Sequence, residues 1–171
     1  YYTSLKINKL IDQKKLTEVT EIGAGLGYVA YYVFNSRKID YKIYDLPSVA
    51  ILQAYFLMMS VGEENIYLFG ETPSTKPKIQ IYPYWNIFKR GNMNKILWFN
   101  QDSFPEIDLE LSKKYIEKIK LSTDSFLFSI NQEARNYNSV DGNQHTVFDL
   151  LNSKNTKLIN RARDFVRLGY I

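Results

Sequence analysis

The sequence predicts an α/β fold built on a doubly wound, mostly parallel sheet, and three observations point to it. Short β-prone runs alternate with helical stretches, the strands falling near residues 18–22, 41–44, 78–82, 96–100 and 125–130. The segments between them are mostly too long and too helical for hairpins, which weighs against an α+β domain. The first run leads directly into a glycine-rich turn and an amphipathic stretch, TEIGAGLGYVAYYVF, over residues 20–34.

Taken in order, residues 4–14 carry a helical apolar rhythm in Leu5, Ile7, Leu10 and Ile11. The first strand follows at 18–22, and a helix at 28–35 follows the glycines. Pro47 and Ser48 open a long helix that runs to about residue 60, with Ile51, Leu52, Tyr55, Phe56 and Met59 on one side. Residues 64–69 are a candidate short strand, and 70–77 a turn-rich loop. The alternating run 78–82 is the better candidate for the third strand. Residues 85–90 read as a turn of helix, and 96–100 as a strongly apolar fourth strand. A helix at 109–120 carries Leu111, Tyr115, Ile116 and Ile119 ahead of the fifth strand at 125–130. The chain turns polar from Asn131 through Asn143, and 147–151 and 156–165 read as helical or irregular. With no internal repeat and no linker, residues 1–171 form a single domain.

Gly23, Gly25 and Gly27 are spaced G-x-G-x-G, with Glu21 just ahead of them. A strand that brings such a turn to a helix N-terminus presents backbone N–H groups and a positive helix end to a ligand. A dinucleotide fingerprint needs a third glycine at position 28, where Tyr28 stands, and no P-loop run occurs. A carboxylate at Glu21 repels a pyrophosphate but attracts an ammonium. S-adenosylmethionine carries an amino acid end and a sulfonium and no phosphate. The pattern E-x-G-x-G-x-G accordingly resembles the first motif of class I methyltransferases; a glycine turn with no ligand is the alternative. Asp45, at the end of the second strand, lies roughly 20 residues beyond the glycines, the spacing at which an acid meets ribose hydroxyls. Its other use is to cap the helix opened by Pro47, and the two uses are compatible.

With 171 residues, of which 45% are hydrophobic, the chain is long enough for one domain with a real core. The net charge of +4 is scattered, so a nucleic-acid partner is not expected. Cysteine is absent, which excludes disulfides, thiolate zinc sites and cysteine nucleophiles. His145 is the only histidine, which excludes a multi-histidine metal site, and no metal is expected. No apolar run reaches membrane-spanning length and no signal peptide precedes the domain, so a cytoplasmic location is expected.

Further segments sharpen the reading. ILWFNQDSFPEI, residues 96–107, follows the fourth strand with Asn100, Gln101, Asp102 and Ser103. SFLFSINQEAR, residues 125–135, ends the fifth strand in Asn131, Gln132, Glu133 and Arg135. With EIGAGLGYVA and YDLPSV, these resemble the bacterial sugar O-methyltransferases, a branch of class I methyltransferases, from about Leu16 to Ile171. The resemblance implies a seven-stranded Rossmann-like sheet and S-adenosylmethionine as cofactor. It implies that Gly23, Gly25 and Gly27 cradle the methionine end, with Glu21 supporting the amino group. Asp45 would hold the ribose and Leu46 lie beside the adenine, and Asn100, Gln101, Asp102 and Ser103 would approach the methyl group. No clear closing hairpin follows Asn131; only residues 165–171 are candidates for such a strand. A fragment of a longer chain, lacking the closing antiparallel strands, is therefore expected.

Methyl transfer to a sugar hydroxyl depends on positioning, and a general base assists because the hydroxyl is a weak acid. His145 and Asp102 are the candidate bases; an exposed loop histidine and a strand-end cap are their alternatives. Glu106 and Glu133 are candidates for acceptor contact or solvated charges, and Tyr82, Tyr84 and Trp85 for stacking on a ring or for core packing. The acceptor is a small molecule or glycan. An NAD-dependent enzyme and a non-catalytic cofactor-binding remnant are the competing functions.

Overall fold

The computed structural model describes residues 1–72, 76, 78–91, 93–132, 145–151 and 156–163. Among these residues six parallel strands form one sheet: β1 (Glu18–Ile22), β2 (Asp40–Asp45), β3 (Ile66–Leu68), β4 (Ile79–Pro83), β5 (Ile96–Gln101) and β6 (Phe126–Ile130). Their spatial order is β3-β4-β2-β1-β5-β6. The helices are α1 (Tyr2–Lys14), α2 (Tyr28–Ser36), α3 (Pro47–Val61), α4 (Leu109–Lys120) and α5 (Val147–Leu151), with a 3-10 segment at Tyr84–Lys89. Both candidates for the third strand form: 66–68 makes the sheet edge, and 79–83 lies inside it, between β3 and β2. The expected start of a closing strand at 165–171 lies outside the described residues.

Register explains the two cores. Residues paired across the sheet share a face, and successive residues alternate. Val19, Tyr41, Ile43, Ile79, Ile81, Leu97 and Phe99 face α1, α2 and α3. Ile22, Tyr44, Ile96 and Trp98 face the 3-10 segment, α4 and α5, together with Ile87, Phe104, Tyr115 and Val147. α4 is the most regular helix: Asp108 caps it by accepting hydrogen bonds from the N–H groups of Glu110 (3.0 Å) and Leu111 (3.1 Å). α3 forms where the sequence places it. The side formed by Ile51, Leu52, Tyr55 and Met59 is exposed, whereas Gln53, Ala54 and Leu57 are the buried residues.

The second face also carries charge. Arg90 donates from Nη1 to Glu18 Oε1 (2.8 Å) and from Nη2 to Glu18 Oε2 (3.1 Å), and Nη1 also reaches Thr20 (3.1 Å). Lys42 pairs with the same carboxylate. Burial pushes the Glu18 carboxyl up, but Arg90 and Lys42 outweigh it and hold it below the usual range. This cluster fastens the segment after β4 under the start of β1.

The chain passes from β1 to β2, skips to β3 at the edge, fills β4 in between, and then crosses back over β1 to β5 and β6. The reversal lies between β1 and β5, so the turn after β1 opens at the crevice where open α/β sheets bind ligands. Among the described residues, no helix is long and apolar enough to cross a membrane. Arg90→Ala leaves Glu18 with Lys42 and the Thr20 hydroxyl and is expected to cost about 2–3 kcal/mol of stability, measured by urea unfolding.

Candidate functional site

The glycine turn divides its work among three residues. Gly23 (φ 69°) donates its N–H to Tyr44 O (3.0 Å), and a side chain there would run into Ser103. Gly27 (φ 82°) caps α2, and its open face lies against Leu57 and Gln53 of α3. Gly25 (φ 56°) has nothing within 4 Å of the place a Cβ would occupy. Two glycines therefore let neighbouring elements close in, and the middle one leaves backbone uncovered.

The end of β2 meets this turn. Asp45 Oδ2 accepts from Gly25 N–H (3.1 Å), and Oδ1 from Leu46 N–H (2.7 Å). Gln53 donates from Nε2 to Gly25 O (2.7 Å) and, at 3.5 Å, to Asp45 Oδ2. Gln53 is fully buried, and its Oε1 has no hydrogen-bond partner among the described residues. Burial raises the Asp45 carboxyl, opposed by the backbone N–H groups of Leu46, Gly25 and Ala24. Leu46, half exposed, leads from Asp45 into α3.

Glu21 lies beneath the turn on the first face, fully buried, and Tyr41 donates from its hydroxyl to Oε2 (2.7 Å). Burial and the nearby Asp45 carboxylate push the Glu21 carboxyl up to about 8, against the pull of the Tyr41 hydroxyl. Glu21 is thus largely protonated at neutral pH.

The end of β5 closes the other side. Asn100 is fully buried: Nδ2 donates to Ile22 O (2.8 Å) and to Ser103, while Oδ1 accepts from Asn131 Nδ2 (2.8 Å). Ser103 Oγ also donates to Ile22 O (3.0 Å). Asn100 and Ser103 therefore tie β5 and β6 to the end of β1. Gln101 Oε1 accepts from Thr3 of α1 (3.1 Å). Asp102 adopts a left-handed conformation (φ 60°) and donates its N–H to Ile130 O (3.0 Å), which turns the chain sharply off β5. His145, half-buried, directly precedes Thr146 and the α5 helix that packs with α4 on the second face.

The structure thus knits Glu21, the three glycines, Asp45 and Leu46 into one edge. Asn100 adjoins them as a tie, Gln101 and Asp102 continue past it, and His145 comes from a separate segment. Glu133 and Arg135 lie outside the described residues. Glu106 closes a turn, donating its N–H to Ser103 O (3.0 Å). Tyr82 stacks on Tyr44, with ring centroids 5.3 Å apart, and Trp85 packs edge-on against Tyr84 at 5.0 Å. Gln53 and Tyr41 are the participants to which the sequence reading assigned no role. For Gln53 the one sequence signal is a lone polar side chain among apolar neighbours in α3.

These residues fit a ligand with hydroxyl and ammonium groups. Gly25 leaves room, Gln53 Oε1 is a buried acceptor awaiting a donor, and the Asp45 carboxylate lies beside both. Among the described residues, no group of three His, Asp or Glu side chains is placed to hold a metal ion.

No protein-family model matches this sequence. No curated protein matches it either. Solved structures match by fold. The mitomycin 7-O-methyltransferase MmcR superposes with a TM-score of 0.53 at 14% identity, over 75% of this chain and 34% of its own. The methyltransferase domain of bacterial CtHen1 gives 0.54 at 10% identity, over 75% and 63%. Geranyl diphosphate C-methyltransferase from Streptomyces coelicolor, solved with S-adenosyl-L-homocysteine, gives 0.51 at 10% identity, over 75% and 44%. The fold is the Rossmann-like fold of the class I S-adenosylmethionine-dependent methyltransferases. The chain spans between about a third and two thirds of the length of these structures.

Because the Glu21 carboxyl is raised above its unfolded value, the stability it contributes is complete below about pH 4.5 and is lost as the pH climbs through about 8. Glu21→Gln keeps an acceptor for Tyr41 and removes the titration. Thermal melts between pH 5 and 9 are expected to show the wild-type chain losing stability relative to this variant as pH rises; parallel curves would refute the raised carboxyl.

Proposed function

We propose that this chain is the cofactor-binding core of an S-adenosylmethionine-dependent O-methyltransferase that acts on a sugar hydroxyl of a glycan or glycosylated small molecule. The observation that carries the reading is the edge shared by β1 and β2. There an uncovered glycine, the Asp45 carboxylate and a buried amide oxygen with no partner among the described residues converge. The competing dinucleotide reading has Tyr28 where a third glycine is required.

In this reading Gly23, Gly25 and Gly27 take the methionine end, and Glu21, once ionised, offers its charge to the ammonium. Asp45 accepts from the ribose hydroxyls and Leu46 lies against the adenine. Asn100 holds β5 at the depth that sets the floor of the site, and Gln101 lines its rim. When bound, the cofactor supplies a methyl group already activated by its sulfonium. The protein's remaining work is to hold the acceptor oxygen close and in line, which accounts for most of the rate in such displacements. Asp102, turned off β5 by its left-handed backbone, and His145, ahead of α5, are the groups proposed to take the hydroxyl proton.

Calorimetric titration with S-adenosylhomocysteine, with NAD as control, tests the cofactor class. Binding of the first alone is expected; binding of NAD alone would overturn the reading. Gly25→Val should abolish binding while circular dichroism stays native, since only its positive φ is strained, by about 1–2 kcal/mol, and no neighbour is struck. In assays over sugar acceptors, His145→Ala is expected to lower turnover by about 100-fold with cofactor affinity unchanged. Normal turnover would remove His145 from the mechanism and leave Asp102.

A further inference from the structure

The outer surface of α2 and α3 is uncharged. The two helices read YVAYYVFNS and PSVAILQAYFLMMSV, with no Asp, Glu, Lys or Arg between them, in a chain that is 23% charged overall. They are neighbours, joined through Tyr28 and Tyr31, whose rings meet Phe56 at 4.7 Å and 6.0 Å. On this surface Ile51 is 72% exposed, Leu52 63%, Tyr55 69% and Met59 74%, with Tyr28 at 54% and Tyr32 at 37%. Exposed apolar residues scattered singly are ordinary, but a contiguous patch of this kind marks a contact surface. Its makeup of tyrosine, methionine and aliphatic residues is that of an interface core.

From this we infer that the α2–α3 face joins two copies of this chain in a two-fold dimer. Two properties select a second copy. A two-fold axis sets each residue on it against its own counterpart, so a charge there would meet a like charge; a face without charge suits such self-pairing. A foreign partner chosen by charge would find nothing to read. The area also suffices. At roughly 200 Å² for a large side chain, these exposures amount to on the order of 700 Å² per copy, near the roughly 800 Å² that each partner gives to a standard interface.

The geometry of α3 places the axis. Ile51, Tyr55 and Met59 form one i, i+4, i+8 ridge, and Tyr55 lies next to the middle of the helix. Antiparallel packing of two such ridges sets Tyr55 against Tyr55 and Ile51 against Met59 of the other copy, in the helix packing commonest in globular proteins. Ser48 and Ser60, nearer the helix ends, stay away from the axis.

The absence of cysteine makes the test direct. Tyr55→Cys is expected to form a disulfide-linked dimer under mild oxidation, while Ser48→Cys, about 10 Å along the helix from Tyr55, does not. The wild-type chain is expected to sediment at twice its 20.1 kDa at about 100 µM. Tyr55→Glu and Met59→Glu should each weaken the association at least tenfold with circular dichroism unchanged, since both side chains are exposed in the single copy. A monomeric wild-type chain would overturn the inference, and so would open-ended association or a dimer indifferent to both glutamates. A Tyr55→Cys chain that cross-links no faster than Ser48→Cys would overturn the antiparallel arrangement about α3.

Discussion

The seam between β1 and β5 is the constraint on which the rest of this molecule depends. β1 is the strand where the chain reverses, so everything on one side of the sheet meets everything on the other along this line. At its carboxyl end three polar side chains replace the hydrophobic packing used elsewhere. Asn100 and Ser103 both donate to Ile22 O, and Asn131 donates to Asn100 Oδ1. A buried amide is costly without partners and fixes geometry when it has them. The cluster works only because Gly23 has no Cβ; a side chain there would displace Ser103. The first glycine of the motif is thus needed for packing between protein elements.

A second constraint is electrostatic. Glu21 and Asp45 approach the same turn from adjacent strands, and no Lys or Arg among the described residues pairs with either side chain. The chain answers this in two ways. Glu21 is held mostly as the neutral acid under a tyrosine hydroxyl, and Asp45 is supported by backbone N–H groups. The basic side chains are spent at the opposite end of β1, where Arg90 and Lys42 neutralise Glu18. A cationic ligand at the turn would relieve the first arrangement, whereas an anionic one would oppose it. That asymmetry favours a sulfonium and an ammonium over a pyrophosphate, and it is independent of the glycine spacing.

The elements carrying their own local signal were legible in the sequence. β1 and α4 fall at the residues expected, and α5 takes the helical of its two readings, because a β-prone run and an apolar rhythm each act over a few residues. The turn and Asp45 were legible for the same reason. Relations across the chain were not. Arg90 meets Glu18 across 72 positions, and Asn100 meets Ile22 across 78, so no local pattern encodes either pair. α3 is more instructive. Its apolar rhythm picks out Ile51, Tyr55 and Met59, as a core-facing stripe would, yet the core takes Ala54 and Leu57 and a single amide, Gln53. Hydrophobic periodicity reports which side of a helix avoids water, and does not say whether the cover is the same chain.

This double character of α3 links the two ends of the argument. Its inner side supplies Gln53 to Gly25 and Asp45 and sets Leu57 against Gly27, so the helix determines where the turn sits. Its outer side, 1.5 Å along the axis per residue, alternates with the inner one within a single turn. Tyr55 lies two positions from Gln53 and two from Leu57. Close-packed interiors transmit displacement instead of absorbing it, so a load on Tyr55 is felt at the residues that shape the turn. Whatever covers the outer face therefore rests on the helix that also positions Gly25, Gly27 and Asp45, and the two surfaces share one structural support.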